Sequence, residues 1–324
     1  MNEISLKQAT DTLTRADRVF VCTHVEPDGD ALGSLLSLGS LLRKMGKQVT
    51  LACQDPVPEN LRFLPGSGDI RRPDGVDADA FDLACSIDAS DLGRIGSAAR
   101  VFSACPRRLA IDHHASNTRF GLENYVDSTV ASSGNLVCRL FGETGVRMDE
   151  NDALLLYAAL STDTGNFSFG QMDEEFFLQM AGLMHAGLDI SPAARQLHLI
   201  KSPYHIKLLG RAIASLRFFS GGRQAGMRLT HADFEKTGAK PEHAEGIVNR
   251  ALNIYGVEMC YLASEEEDGV KFNLRAVPPH DVSRIAVEFG GGGHLLASGF
   301  TSRKPLSEAV RALRARMEAE LGRE

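Results

Sequence analysis

Short apolar segments rich in β-branched residues alternate with helical segments through the first half of the 324-residue chain. Four of them have the length and composition of buried strands, at residues 18–23, 48–53, 83–87 and 109–111. Helices are predicted from a capping box of Ser5 and Gln8 and at residues 31–45, 136–141 and 152–160. Because parallel strands need long crossover connections, this alternation predicts a doubly wound, mainly parallel α/β sheet with helices on both faces.

The second half of the chain has a different pattern. Ser191-Pro192 and Ser202-Pro203 each place serine at an N-cap and proline at the first helical position, which predicts a helical connector. Two hairpins follow, at residues 216–219 with 225–230 and 257–263 with 270–277, and helices are predicted at residues 242–253, 281–289 and 306–321. We therefore predict a first domain at residues 1–190, the connector at 191–214, and a smaller α+β domain at 215–324.

The composition excludes several classes of protein. Apolar residues make up 43% of the chain, too many for a disordered chain. No apolar run approaches the ~18 residues of a membrane span, and the polar first residues predict neither a signal peptide nor a membrane protein. The formal net charge of −7 argues against a stable complex with long nucleic acid. Six separated cysteines without a C-x-x-C pair predict buried free thiols in a reducing cytoplasm.

Carboxylates and imidazoles follow three of the predicted strands and one helix: His24, Asp28, Asp30, Asp88, Asp112, His113, His114 and Asp163. Each alone has a simpler interpretation as a turn residue or an N-cap, and Asp30 stands where it could cap a helix. Together they would repel one another without a cation, because the carboxyl ends of parallel strands share one edge of the sheet. The mixture favours Mn²⁺, with Mg²⁺ or Co²⁺ as alternatives, over structural zinc. Two such ions about 3.5–4 Å apart would form a phosphoryl-transfer site.

Four consecutive glycines at residues 290–293 precede His294. Glycine is unfavourable inside a helix or strand, so we predict a loop whose bare N–H groups approach an anion or a base. The alternative is a flexible hairpin turn. Arg275 occupies a strand-like position shortly upstream. Phe167 and Phe169 would either stack on a base or pack in the core.

The motif His24-x-x-x-Asp28-x-Asp30, the strand-end Asp88, the triplet Asp112-His113-His114 and Asp163 resemble the four motifs of the DHH phosphoesterase superfamily. The glycine run with His294, followed by Ala297-Ser298-Gly299, resembles the signature of the DHH-associated C-terminal domain. The resemblance covers nearly the whole chain. The length and the two-domain layout resemble the oligoribonucleases that are also 3′-phosphoadenosine-5′-phosphate phosphatases.

The resemblance implies two divalent ions in the first domain, which would be the catalytic one. One would be held by His24, Asp28 and Asp88, and the other by Asp30, Asp88, His113 and Asp163, with Asp88 bridging. His114 would donate to the scissile phosphate, and Asp112 would orient a histidine or a loop. The residues implied to bind substrate are Arg275, Gly291, Gly292, Gly293 and His294. Ala276 departs from the family, which often has serine there, and a basic residue common near Ser168 is missing.

The implied activity is metal-dependent hydrolysis of short RNAs to 5′-monophosphates, and of adenosine 3′,5′-bisphosphate to AMP and phosphate. We expect RNAs of about two to five nucleotides, because the acidic chain offers no cationic track for a longer strand. Three alternatives stay open: a cyclic or linear dinucleotide phosphodiesterase, an exopolyphosphatase or pyrophosphatase, and a non-catalytic nucleotide sensor. The sensor is disfavoured because no implied metal ligand is missing. The sequence leaves open the preferred substrate, the polarity of degradation, the physiological metal and whether the protein is a homodimer.

Overall fold

The structure, a computed structural model, describes residues 2–168 and 170–322. The stacking role considered for Phe169 therefore falls on a residue outside the described part. The chain divides into two compact units, which meet in the sequence at Ile200 and Lys201. None of the described helices combines the length and the apolar character needed to cross a bilayer.

A parallel sheet of six strands forms the centre of the first unit, in the order β1-β6-β5-β4-β2-β3. The strands are β1 (Asn2–Glu3), β2 (Arg18–Cys22), β3 (Gln48–Ala52), β4 (Leu83–Ile87), β5 (Arg108–Asp112) and β6 (Glu123–Val126). Successive side chains of a strand face opposite ways, so Val19 and Val21 join one hydrophobic core while Phe20 and Cys22 join a second one. The predicted doubly wound sheet is thus confirmed.

Seven α-helices are assigned among the described residues of this unit: α1 (Leu6–Thr14), α2 (Gly29–Lys44), α3 (Ala98–Ala104), α4 (Ser133–Thr144), α5 (Glu150–Asp163), α6 (Glu174–His185) and α7 (Ile190–Ala194). A π-helical turn, Arg195–Leu199, continues α7, and short 3₁₀ turns cover Glu59–Leu61, Ser67–Asp69 and Ala78–Ala80. The predicted capping box of Ser5 and Gln8 opens α1.

Two local interpretations in this unit are corrected. Asp28 rather than Asp30 caps α2, because the Asp28 side chain accepts a hydrogen bond from Ala31 N and Asp30 lies in the first turn. Asp189 rather than Ser191 caps α7, with its carboxylate accepting from Ser191 N. The connector predicted at residues 191–214 consists of two helical segments: one ends at Leu199, and the other begins at Pro203 after the predicted N-cap Ser202, which Pro203 restricts to extended backbone.

The second unit contains a mixed sheet in the order β11-β12-β10-β9-β8-β7. Its strands are β7 (Arg217–Phe219), β8 (Gln224–Leu229), β9 (Met259–Glu266), β10 (Gly269–Ala276), β11 (Gly292–His294) and β12 (Ala297–Ser302). Its helices are α8 (Pro203–Ala214), α9 (His231–Thr237), α10 (Asn249–Leu252), α11 (Val282–Glu288) and α12 (Leu306–Leu321), with 3₁₀ turns at Ser220–Gly222 and Pro241–Ala244. Both predicted hairpins, β7–β8 and β9–β10, are confirmed.

Two predictions in this unit are wrong in part. The helix predicted at residues 242–253 is interrupted, because Gly246 adopts the left-handed backbone with φ of 73° between the 3₁₀ turn and α10. The glycine-rich segment is not wholly a loop: β11 pairs antiparallel with β12 at the edge of the sheet, which gives its backbone groups partners without any apolar side chain. All six cysteines are buried and free, as predicted.

Candidate functional site

The residues that follow three adjacent strands converge at one edge of the first sheet. His24 and Asp28 follow β2, Asp88 follows β4, and His113 follows β5. These strands are neighbours in the order β5-β4-β2 and run parallel, so their carboxyl ends lie side by side. Two helices complete the cluster: Asp30 lies in the first turn of α2, and Asp163 is the last residue of α5.

Glycine lets α2 and α5 approach closely enough to bring Asp30 and Asp163 together. A Cβ atom added at Gly33 would lie 2.4 Å from the backbone oxygen of Leu155, and one added at Gly29 would lie 2.4 Å from the Thr162 side chain. Neither position has room for a side chain. The small residues of α2 therefore set the separation of two of the candidate metal ligands.

The side chains form three overlapping groups that could each hold a metal ion: His24 with Asp28 and Asp88, Asp30 with His113 and Asp163, and Asp88 with His113 and His114. Within each group the ligand atoms lie within 4.8 Å of one another. Asp88 connects the groups through both oxygens, since Oδ2 lies 3.6 Å from His24 Nε2 and Oδ1 lies 3.6 Å from His113 Nε2.

The donor atoms fit a divalent cation. His113 Nε2 is buried and makes no hydrogen bond to the described residues, although Asp163 Oδ2 lies 3.2 Å away and Asp30 Oδ2 3.8 Å away. His24 Nδ1 lies 2.7 Å from the carbonyl oxygen of Val25, which can only accept, and this short contact favours a proton on Nδ1. In the neutral ring its Nε2 lone pair is then available to a metal. Carboxylate and imidazole donors without thiolate suit manganese, magnesium or cobalt.

Sequence reasoning missed the groups that fix Asp30. Its carboxylate is fully buried and accepts from Ser133 N at 2.7 Å, Gly134 N at 3.1 Å and Ser34 Oγ at 2.7 Å. Ser133 Oγ also donates to Asp88 Oδ1 at 2.9 Å. The sequence did carry one signal: the capping-box spacing of Ser132 and Asn135 marks the start of α4. The N-terminus of a helix favours an anion, and here that anion is the Asp30 carboxylate.

The charges in this cluster shift one another's protonation. Burial opposes the charged form of His24 and His113, but the neighbouring carboxylates raise the pKa of His24 to about 9 and of His113 to about 10. Burial raises the pKa of Asp163 to about 6, with Asp28 and Asp88 adding to the effect. Burial also opposes ionisation of Asp88, yet the nearby His24, His113 and His114 lower its pKa. Without a cation the cluster therefore holds protons near neutral pH.

His114 is oriented by a chain of hydrogen bonds. Its Nδ1 lies 2.7 Å from Asp112 Oδ1, and the other Asp112 oxygen accepts from Asn117 Nδ2 at 2.6 Å. Asp112 is fully buried. Burial opposes the charged imidazolium, but the hydrogen bond to Asp112 and the charge of Asp88 raise the pKa of His114. A protonated His114 has N–H donors on both ring nitrogens.

The predicted substrate-binding residues lie in the second unit. Arg275 on β10 and His294 on β11 are both paired with Ala297 of the intervening β12, so the sheet places them on the same face. The Gly291 N–H donates to the Ala286 carbonyl at 2.8 Å and is thus already used within the protein. Gly293 packs against β12, where an added Cβ would lie 2.6 Å from Ser298 Cα. In the first unit, Phe167 packs edge-on against the buried Phe176.

Comparison with known proteins gives concordant matches. The model of the DHH family N-terminal domain matches residues 18–160, and the DHHA1 domain model matches residues 226–323. A Thermus thermophilus protein named bifunctional oligoribonuclease and PAP phosphatase NrnA is 29% identical over 87% of this chain and 83% of its own length. A Bacillus subtilis protein of the same name is 26% identical over 89% of this chain and 90% of its own.

The solved structures include a similar whole chain. The crystal structure of an exopolyphosphatase-related protein from Bacteroides fragilis has a TM-score of 0.92 at 29% identity, and the match covers 97% of this chain and 95% of that one. The two family models together span most of the sequence, in the order of the two structural units. The chain therefore belongs to the DHH family, with a DHH N-terminal domain followed by a DHHA1 domain.

Proposed function

We propose that this protein is a metal-dependent phosphoesterase of short RNAs and nucleoside bisphosphates. It hydrolyses oligoribonucleotides of about two to five nucleotides to 5′-monophosphates, and adenosine 3′,5′-bisphosphate to AMP and phosphate. The observation that carries the proposal is the position of Asp88, whose two oxygens face two separate groups of metal-ligating side chains. The names of the Thermus and Bacillus relatives support the choice of substrate.

The ligands divide into two sets around Asp88. His24, Asp28 and Asp88 would hold one divalent ion, and Asp30, His113 and Asp163 would hold the other, with Asp88 shared between the two sets. We assign Mn²⁺ on the chemistry of the donors, with Mg²⁺ and Co²⁺ as the next choices. When bound, such cations supply Lewis acidity at the phosphoryl group and neutralise its charge. The six buried free thiols support a reducing compartment such as the cytoplasm.

His114 acts on the substrate directly in this proposal. The Asp112 carboxylate accepts a hydrogen bond from His114 Nδ1 and so fixes the orientation of the ring. The Nε2–H of His114 then donates to a phosphoryl oxygen and stabilises the charge that develops there. The hydrogen bond to Asp112 and the charge of Asp88 raise the pKa of His114, which favours a proton on this donor. Ser133 and Ser34 hold Asp30 in place and leave its ionised form hydrogen-bonded despite full burial.

The second unit binds the nucleotide part of the substrate. Its residues in this role are Arg275, Gly291, Gly292, Gly293 and His294. Arg275 carries a charge that suits phosphate, and His294 adds a side-chain donor on the same face of the sheet. The N–H of Gly291 is occupied by the Ala286 carbonyl, so this glycine contributes close packing rather than a hydrogen bond.

A substrate panel tests the proposal. The purified protein with Mn²⁺ is assayed against adenosine 3′,5′-bisphosphate, linear and cyclic dinucleotides, pyrophosphate, polyphosphate, and RNAs of about two, five and twenty-four nucleotides. We expect turnover of the bisphosphate and of the short linear RNAs, and its loss in Asp88→Ala while the fold persists. Asp79→Ala, which changes an exposed aspartate of a 3₁₀ turn, is the matched control and should keep full activity. Preferred cleavage of polyphosphate, or an active Asp88→Ala protein, contradicts the proposal.

A further inference from the structure

One face of the second sheet carries a strip of bare backbone beside polar side chains. β10, β12 and β11 are neighbours, and residues paired across them share a face. One row of paired residues runs Arg275, Ala297, His294, and the next row runs Asn273, Gly299, Gly292. Arg275 and His294 thus lie two strand spacings apart, about 10 Å, on either side of an alanine.

The strip is formed by Gly292, Ala297 and Gly299, and it is open at Gly292. A Cβ added at Gly292 would meet no atom within 4 Å, so the space above this residue is free. A Cβ added at Gly299 would lie 2.7 Å from the Phe272 carbonyl oxygen, so a residue with a side chain does not fit at this position. The same Cβ position lies 3.9 Å from Asn273 Oδ1, so the Asn273 amide stands directly beside the strip. A planar ring can therefore lie on the strip with its edge toward Asn273.

Asn273 has an amide available for a ligand. Its neighbours on β10, Phe272 and Leu274, are fully buried in the core, while Asn273 lies on the opposite face and is partly exposed. Its side chain makes no hydrogen bond to any residue in the described part of the chain. An amide presents one acceptor and two donors side by side. Such a group matches the edge of a nucleobase, which also carries donors and acceptors next to each other.

We propose that Asn273 pairs with the edge of a nucleobase lying on this strip, and that it does so for any base. The proposal rests on the proposed function, because a nucleotide substrate brings the base to this unit. Each base has an adjacent donor and acceptor on its pairing edge, and turning the amide over exchanges the two. Asn273 therefore holds the base without selecting its identity, which suits hydrolysis of short RNAs of any sequence.

Direct binding tests this separately from hydrolysis. The full chain is titrated by calorimetry, without divalent metal, with AMP, GMP, UMP and ribose 5-phosphate as the probe that lacks a base. We expect the three nucleotides to bind within about threefold of one another, and ribose 5-phosphate at least about tenfold more weakly. Asn273→Ala should weaken the binding of each nucleotide by about tenfold and leave the affinity for ribose 5-phosphate unchanged.

A second variant should change the preference between two bases, and loss of folding alone cannot produce such a change. Asn273→Asp replaces the amide with two acceptors, which match the adjacent N1–H and N2–H donors of guanine. The ratio of GMP to AMP affinity should rise by about tenfold. Lys271→Ala, on the same strand and face, is the control and should leave the ratio of nucleotide to ribose 5-phosphate affinity unchanged.

Two results would overturn the inference: an equal loss of nucleotide and ribose 5-phosphate binding in Asn273→Ala, or an unchanged ratio of GMP to AMP affinity in Asn273→Asp. Failure of the proposed function looks different. In that case the binding changes occur as expected, but Mn²⁺ produces no hydrolysis of short RNA or of the bisphosphate.

Discussion

The backbone of Asp88 lies in the left-handed region, with φ of 58°. This conformation is unfavourable for a residue with a side chain and persists where the surrounding structure enforces it. The Asp88 N–H donates to the Ile111 carbonyl on the neighbouring strand at 3.0 Å, and the buried carboxylate accepts from Ser133 Oγ. The strained backbone places one carboxylate between His24 and His113. Strain of this kind is expected where a residue serves a functional site and does not add to stability.

Asp112 and His114 give a prediction about catalysis. Asp112→Asn should lower kcat by roughly 100-fold with little change in KM, because it removes the negative charge beside His114 and leaves one acceptor oxygen for two donors, while the substrate's other contacts remain. Steady-state kinetics on a dinucleotide measures both constants. Asn117→Ala removes the second hydrogen bond on Asp112, together with the bonds of the Asn117 side chain to the Ala89 carbonyl and from the Arg119 N–H, and should lower kcat less than Asp112→Asn. A rise in KM at constant kcat would show that Asp112 serves ground-state binding instead.

Metal binding should depend on pH. In the cation-free chain the pKa of His24 is raised to about 9 and that of His113 to about 10, so both rings are protonated at neutral pH. A metal ligand must be deprotonated, and Mn²⁺ binding therefore releases protons. Affinity should rise with pH from about 6, where Asp163 titrates, to about 9 and fall as pH is lowered.

Calorimetry in two buffers of different ionisation enthalpy counts the released protons. We expect more than one proton per chain near pH 7, and fewer in His113→Ala, which lacks one titrating ring. Affinity that stays constant across this pH range would contradict the coupling between the histidines and the metal.

Single residues differ in how far the sequence could reveal their role. The clustering of acidic residues and histidines after strands was visible, because strand ends share one edge of a parallel sheet. The roles of Asp28 and Asp30 at the start of α2 were not, since either could cap the helix, and only the Asp28–Ala31 hydrogen bond decides between them. Ser133 is distant in sequence from Asp30 and Asp88, so its contacts with both depend on tertiary packing. The assignment of individual ligands to ions stays a prediction.

At the scale of elements, the packing of α2 against α5 determines the geometry of the metal centre. Gly33→Ala should destabilise the fold by about 1–3 kcal/mol, because its Cβ would overlap the Leu155 backbone oxygen and the helices would have to separate. The same separation should weaken Mn²⁺ binding, since Asp30 and Asp163 belong to the two helices. Thermal unfolding and metal titration measure the two effects.

Gly142→Ala in α4 is the matched control for this prediction. An added Cβ there meets no atom within 4 Å, and alanine is favoured over glycine in a helix by about 0.5–1 kcal/mol. This variant should keep or raise the melting temperature. Equal stability of the two variants would show that α2 tolerates the added methyl group and that the helix spacing is not tightly set.

Elements were predictable where their pattern is strong. The four β-branched runs became β2, β3, β4 and β5, because buried parallel strands read as continuous apolar segments. β6 (Glu123–Val126) was missed since it is short and half polar, and β1 has only two residues. β11 was missed for another reason: three residues that include two glycines carry no strand signal, and only pairing with β12 defines them. The alignment of Arg275 with His294 depends on that register and could not be derived from spacing.

At the scale of the whole molecule, we expect the net charge to limit the length of RNA that binds. The formal charge of −7 leaves no overall surplus of cations to neutralise a long phosphate backbone, so we expect affinity to gain little from strand length. We therefore predict that di- to pentanucleotides are cleaved at least about tenfold faster than a twenty-four-residue RNA, with a weak dependence on salt. Chromatographic measurement of 5′-monophosphate release tests this prediction. The control is the same sequence supplied as dinucleotides, at an equal total concentration of nucleotides. Equal rates for the two lengths, or a steep loss of activity with salt, would indicate a cationic surface that binds the longer strand.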